Sequence, residues 1–174
     1  MKQSLLLLAL AGVCPAAAAA QNCNTPNGQA NASCSVNISS SLTIPLLFRL
    51  TIDDTSSTIT PPTPADYDAG SAVTAGPNVT IKTNGNWTLL VRATTATWTA
   101  SGVGARANKP VGDLRWGTSP GGPFTAMTTA NVSIATGTRG AANLRTMYYQ
   151  VIWSWPLDTP GTYRLTVVYT ATSP

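Results

Sequence analysis

Apolar and polar residues alternate along much of the chain, most clearly in three places. Over residues 34–52 the even positions read Cys34, Val36, Ile38, Ser40, Leu42, Ile44, Leu46, Phe48, Leu50 and Ile52, with Ser40 the one break. The odd positions are polar except for Pro45 and Leu47. A helix would spread such a set around its circumference, whereas a pleated strand sends it all to one face. The run is longer than an ordinary strand, so a bend or a crossing between sheets is expected at residues 39–41 or at Pro45.

The second alternation covers residues 79–93. Val79 and Ile81 precede Asn84-Gly85-Asn86, after which Trp87, Leu89 and Val91 alternate with Thr88, Leu90 and Arg92. Asn-Gly between two alternating runs predicts a β-hairpin, because its turn needs positive φ at both central residues. The third covers residues 147–171. Met147, Tyr149, Val151, Trp153 and Trp155 face one way, residues 156–161 turn, and Tyr163, Leu165, Val167, Tyr169 and Ala171 alternate again. This predicts a long terminal hairpin with one deeply apolar face.

Shorter strands are expected near residues 95–100, 113–116, 124–127 and 132–135, separated by Gly- and Pro-rich turns. Residues 53–78, which contain Pro61-Pro62-Thr63-Pro64, read as an irregular connection with a short edge strand near Val73. No helix is expected beyond the N-terminal leader. The pattern predicts an all-β fold: a single antiparallel β-sandwich, immunoglobulin-like or jelly-roll-like, over residues 35–174.

The N-terminus changes the picture of where the chain works. Lys2, the apolar run over residues 4–13 and the Ala-rich residues 16–20 read as a secretory signal peptide, cleaved after Ala20. Lipidation at Cys14 is the alternative, although Val13 stands where that signal calls for a small residue. Cleavage removes Cys14 and leaves Cys23 and Cys34, a pair that in an exported chain reads as a disulfide closing residues 21–34. Free thiols are the other possibility. The product would be periplasmic, at the cell surface or extracellular, and no second apolar span suggests a transmembrane anchor.

Composition narrows the chemistry. The 174 residues include ten Lys and Arg, six acidic residues and no His, and every acid is Asp. Without His, a Ser–His–Asp or Cys–His site is impossible, and two cysteines cannot fill a zinc shell. The bases form no run, which argues against nucleic-acid binding. Asp53, Asp54, Asp66 and Asp68 are the only clustered acids. They are candidates for calcium, though Asp equally favours turns. No cofactor is expected. Of the five Trp residues, Trp87, Trp153 and Trp155 lie on apolar faces, while Trp98 and Trp116, among Gly and Thr, are the candidates for exposed sugar-stacking platforms.

Asp158-Thr159-Pro160-Gly161-Thr162-Tyr163, followed by an alternating last strand, resembles the end of many secreted bacterial immunoglobulin-like sandwiches and their Tyr-corner pattern, with one extra residue between Asp and Gly. With the early cysteine pair and the alternating first segment, it is also similar to pilin-type and spore-coat-U-type surface domains. That resemblance implies fibres built by passing a strand between subunits. The exchanged segment would then carry Val36, Ile38, Leu42 and Ile44. The expectation is an exported, non-enzymatic structural or adhesive module whose partners are copies of itself, other surface subunits or a polysaccharide. The alternative is a secreted carbohydrate-binding module using Trp98 and Trp116.

Overall fold

A computed structural model describes residues 35–36, 38–55 and 58–173. The signal peptide, Cys14 and the Cys23–Cys34 pair lie outside the described residues. The chain divides into two compact units, Met1–Thr43 and Ile44–Pro174. In the first, the described residues 35–36 and 38–43 form no helix or strand and are all exposed.

The second unit is all-β and sandwich-like. A five-stranded antiparallel sheet runs in the order β1 (Phe48–Ile52), β2 (Ser71–Thr83), β8 (Gly140–Ile152), β5 (Leu114–Gly117), β6 (Thr125–Ala126). A three-stranded sheet has β3 (Trp87–Ala93) at its centre, flanked by β10 (Val167–Thr172) and β7 (Val132–Gly137). A two-stranded ribbon pairs β4 (Thr99–Ser101) with β9 (Thr162–Arg164). Val79 and Ile81 of β2, Trp87, Leu89, Val91 and Ala93 of β3, and Met147, Tyr149 and Val151 of β8 are buried together as one core. These are the residues that the alternation places on inward faces.

Pairing differs from expectation at two turns. β2 and β3 are consecutive but belong to different sheets, so Asn84-Gly85-Asn86 is an arch between layers and not a hairpin turn. Positive φ among the described residues is confined to Gly70, Gly102, Gly104, Gly122 and Asn108, so no primed turn forms here. Asn84 instead holds the incoming chain: its Oδ1 accepts from Leu47 N at 2.8 Å and its Nδ2 donates to Pro45 O at 2.9 Å. The expected terminal hairpin is also replaced. β8 lies in the five-stranded sheet and β10 in the three-stranded one, where β10 pairs with β3. In both cases the two apolar faces meet across the core instead of sharing one sheet face, and alternation alone is blind to that difference.

Residues 53–78 are more ordered than expected. A short helix, α1 (Pro64–Ala69), starts with Pro at its first position and a capping box. The Thr63 side chain accepts from Asp66 N, while Asp66 Oδ2 accepts from Thr63 N at 2.7 Å. Gly70 ends the helix in the left-handed region, at φ 71°. Val73 lies in the first part of β2, where β8 pairs on one side and β1, which reaches only Val79–Thr83, does not cover the other; the expected local edge is there, but in a strand of 13 residues instead of a short one. Pro77 is accommodated there because the β2–β8 register breaks between Ala75 and Asn78, where no ladder donor is required of it.

Candidate functional site

Two features of the second unit could carry function, a groove and an ionic cluster beside it. The groove has a volume of about 1020 Å³. Its lining includes Ile52, Ile59, Trp98, Tyr149 and Trp153 together with Val167 and Tyr169 of β10. β10 is an edge strand, with β3 on its inner side. A sheet edge beside an apolar groove offers backbone groups for pairing and a trough for alternate side chains. Within the groove, the hydroxyls of Tyr149 and Tyr169 lie 2.6 Å apart and tie the two sheets together. Burial raises the Tyr149 pKa; burial and the neighbouring Tyr149 raise that of Tyr169. Both therefore stay neutral.

At the groove's end the scarce charges of the chain converge. Lys109 is 1% exposed. Its ammonium donates to Asp158 Oδ1 at 2.9 Å, Asp113 Oδ2 at 3.0 Å and Ile152 O at 2.9 Å, and lies 5.1 Å from the centroid of the Trp153 ring. Arg106 Nη1 donates to the same Asp158 oxygen at 2.9 Å, and the other oxygen accepts from Ser154 N at 2.9 Å. Burial works to raise the Asp158 pKa, but the bonds from Lys109, Arg106 and Ser154 hold it below the ordinary carboxylate value. All three ammonium protons of Lys109 are thus committed to these acceptors. The cluster has the chemistry of a staple between residues 106–113 and 152–158.

Tyr163 completes it. Its hydroxyl donates to Thr159 O at 2.6 Å and accepts from Arg106 N at 2.9 Å. The hydrogen bond back to the backbone four residues upstream is the geometry of a tyrosine corner, and the extra residue between Asp158 and Gly161 does not prevent it.

The other sequence candidates fall differently. Trp98 and Trp116 are both 7% exposed and belong to the core, so neither is a surface platform. Trp116 shares the inward face of β5 with Leu114, and the backbone N–H of Trp98 donates to Lys109 O. The strongly exposed Trp is Trp155, stacked on Tyr67 at 4.5 Å with its indole N–H donating to Asp68 Oδ1 at 2.9 Å. Trp153, expected in the core, is half-buried against the groove. The calcium candidates do not converge: Asp53 accepts from Asn78, Asp66 caps α1 and Asp68 holds Trp155, while Asp54 lines the groove. Among the described residues no three Asp or Cys side chains come together as a metal site. The exchange-segment residues Val36, Ile38, Leu42 and Ile44 are all exposed.

The Lys109 cluster escaped the sequence reading because its members are isolated charges, with Asp158 49 residues from Lys109. Among the described residues no helix is long and apolar enough to cross a membrane. No family model and no curated protein matches the chain. Function therefore has to be read from the geometry.

Proposed function

We propose that this chain is an exported, non-enzymatic surface module that assembles by strand exchange, with residues 36–46 of one copy docking along β10 of the next. One observation carries the reading. Val36, Ile38, Leu42, Ile44 and Leu46 all fall on even positions, broken only by Ser40, yet their exposures run from 48% to 86%. An isolated exposed apolar residue needs no explanation, but a run of five at alternate positions in water does. The groove beside β10 offers what that face lacks, an apolar trough and an unpaired sheet edge. Burial in it is worth about 1.5–3 kcal/mol for each fully covered side chain. Main-chain pairing sets the register.

The test is the oligomeric state of the purified chain by light scattering and electron microscopy. Strand exchange predicts a concentration-dependent ladder or fibres. Ile38→Asp with Leu42→Asp should give monomers with unchanged circular dichroism, and a synthetic peptide of residues 35–46 should cap wild-type assembly. A wild-type chain that stays monomeric at high concentration would overturn the proposal.

A further inference from the structure

We infer that the end of the β1–β2 pair away from the Asp53–Asn78 contact is an anion-binding site for an acidic polysaccharide, independent of strand exchange. Arg49 and Lys82 are direct partners in the β1–β2 register. Both are exposed. Directly opposed side chains in an antiparallel pair have Cβ atoms about 4.5–5.5 Å apart, and like charges there are unfavourable. Arg139 joins them immediately before Gly140, which pairs with Thr83. The three cations line one open depression of about 630 Å³, together with Leu47, Phe48 and Ala141.

Among the described residues no Asp side chain forms an ion pair with them. The four salt bridges among the described residues all belong to Arg106, Lys109, Asp113 and Asp158. Asp53, Asp66 and Asp68 are committed to Asn78, Thr63 and Trp155, and Asp54 lines the groove. The sequence thus places three cations in one hollow and leaves their compensation to a ligand. An acidic glycan fits better than the other polyanions. Nucleic acid would want an exposed aromatic to stack on, and Phe48, the one aromatic in the lining, packs against the core.

The experiment titrates the purified chain at about 50 mM salt, where screening is mild. The probes are a galacturonic acid oligomer, a phosphomannan oligomer, neutral dextran, a single-stranded DNA oligomer and anionic vesicles. One or both acidic glycans should bind and raise the melting temperature, with dextran inert; which one binds identifies carboxylate or phosphate as the preferred group. Arg49→Gln/Lys82→Gln/Arg139→Gln should weaken that binding about tenfold, the loss expected of three exposed ion pairs. Arg92→Gln/Arg115→Gln/Arg164→Gln, with the same net charge, should not. The inference is overturned if neither glycan binds, if DNA or vesicles bind as tightly as the better glycan, or if both triple variants lose affinity equally.

Discussion

Lys109 Nζ lies 2.9 Å from Asp158 Oδ1, and both side chains are almost fully withdrawn from water. The pair joins the loop before β5 to the loop before β9, 49 residues apart in sequence. Removing one member of a buried pair strands the charge of the other, which typically costs more than the intact pair contributes. Lys109→Met should therefore destabilise the chain by about 3 kcal/mol, measured as the loss in urea unfolding free energy. Arg106 is partly exposed and Lys109 still neutralises Asp158 in its absence, so Arg106→Gln should cost about 1 kcal/mol. Equal losses for the two variants would contradict this ordering.

The same cluster sets an acid limit. The folded-state pKa of Asp158 lies below the ordinary 3.8 because its bonds outweigh the effect of burial. A depressed carboxylate contributes stability that is complete above the unfolded value and is lost as pH falls through the folded one. Asp53, lowered chiefly by the Asn78 side chain, and Asp66, lowered chiefly by the Thr63 backbone, act in the same direction. Stability should be flat from about pH 7 to about pH 4 and fall below that. Asp158→Asn should lower the plateau and flatten the acid limb, read from urea midpoints across that range. An acid limb as steep as wild type would remove Asp158 from the account.

How much of this was legible follows from what alternation encodes. The inward residues of β2, β3 and β8 were readable because a pleat has a period of two, whatever the strand pairs with. Their partners were not, since a hairpin and an arch between sheets present the same pattern; Asn84-Gly85 looks like the former and builds the latter. Trp116 was misplaced although Leu114, two residues earlier, already marked its face. The capping box of α1 was present in Thr63 and Asp66, but the neighbouring prolines masked it. The Lys109–Asp158 cluster had no local signal at all. Its members are brought together only by the ends of strands whose pairing the pattern does not specify.

The β7–β8 connection explains a glycine. A Cβ built at Gly137 would sit 2.5 Å from Cζ2 of Trp87, the buried ring whose indole N–H donates to Thr138 O at 3.0 Å. Trp87 is 1% exposed and stacked beneath Arg145, so it has little room to yield. Gly137→Ala should overpack the site and cost about 1–3 kcal/mol. Ala at Gly121, where nothing lies within 4 Å of a built Cβ, should be close to neutral. Matched thermal melts of the two variants test the contrast, and a neutral Gly137→Ala would mean that the ring moves freely.

The two groove tyrosines supply a test of the contact between layers. Tyr149 belongs to the five-stranded sheet and Tyr169 to the three-stranded one, so their 2.6 Å hydroxyl contact is a hydrogen bond across the sandwich. Tyr149 is 6% exposed. Its hydroxyl loses this partner if Tyr169 is replaced. Leaving a buried polar group unpaired costs about 1–3 kcal/mol, whereas removing both partners can be nearly neutral. Tyr169→Phe should therefore destabilise the chain by about 1–2 kcal/mol. The double variant Tyr149→Phe/Tyr169→Phe should recover part of that loss, giving a favourable coupling energy in a double-mutant cycle of unfolding free energies. Because β10 is also the edge proposed to receive residues 36–46, the single variant should loosen that edge and slow assembly, while the double variant restores it. Additive losses would show that the hydroxyls do not act as a pair.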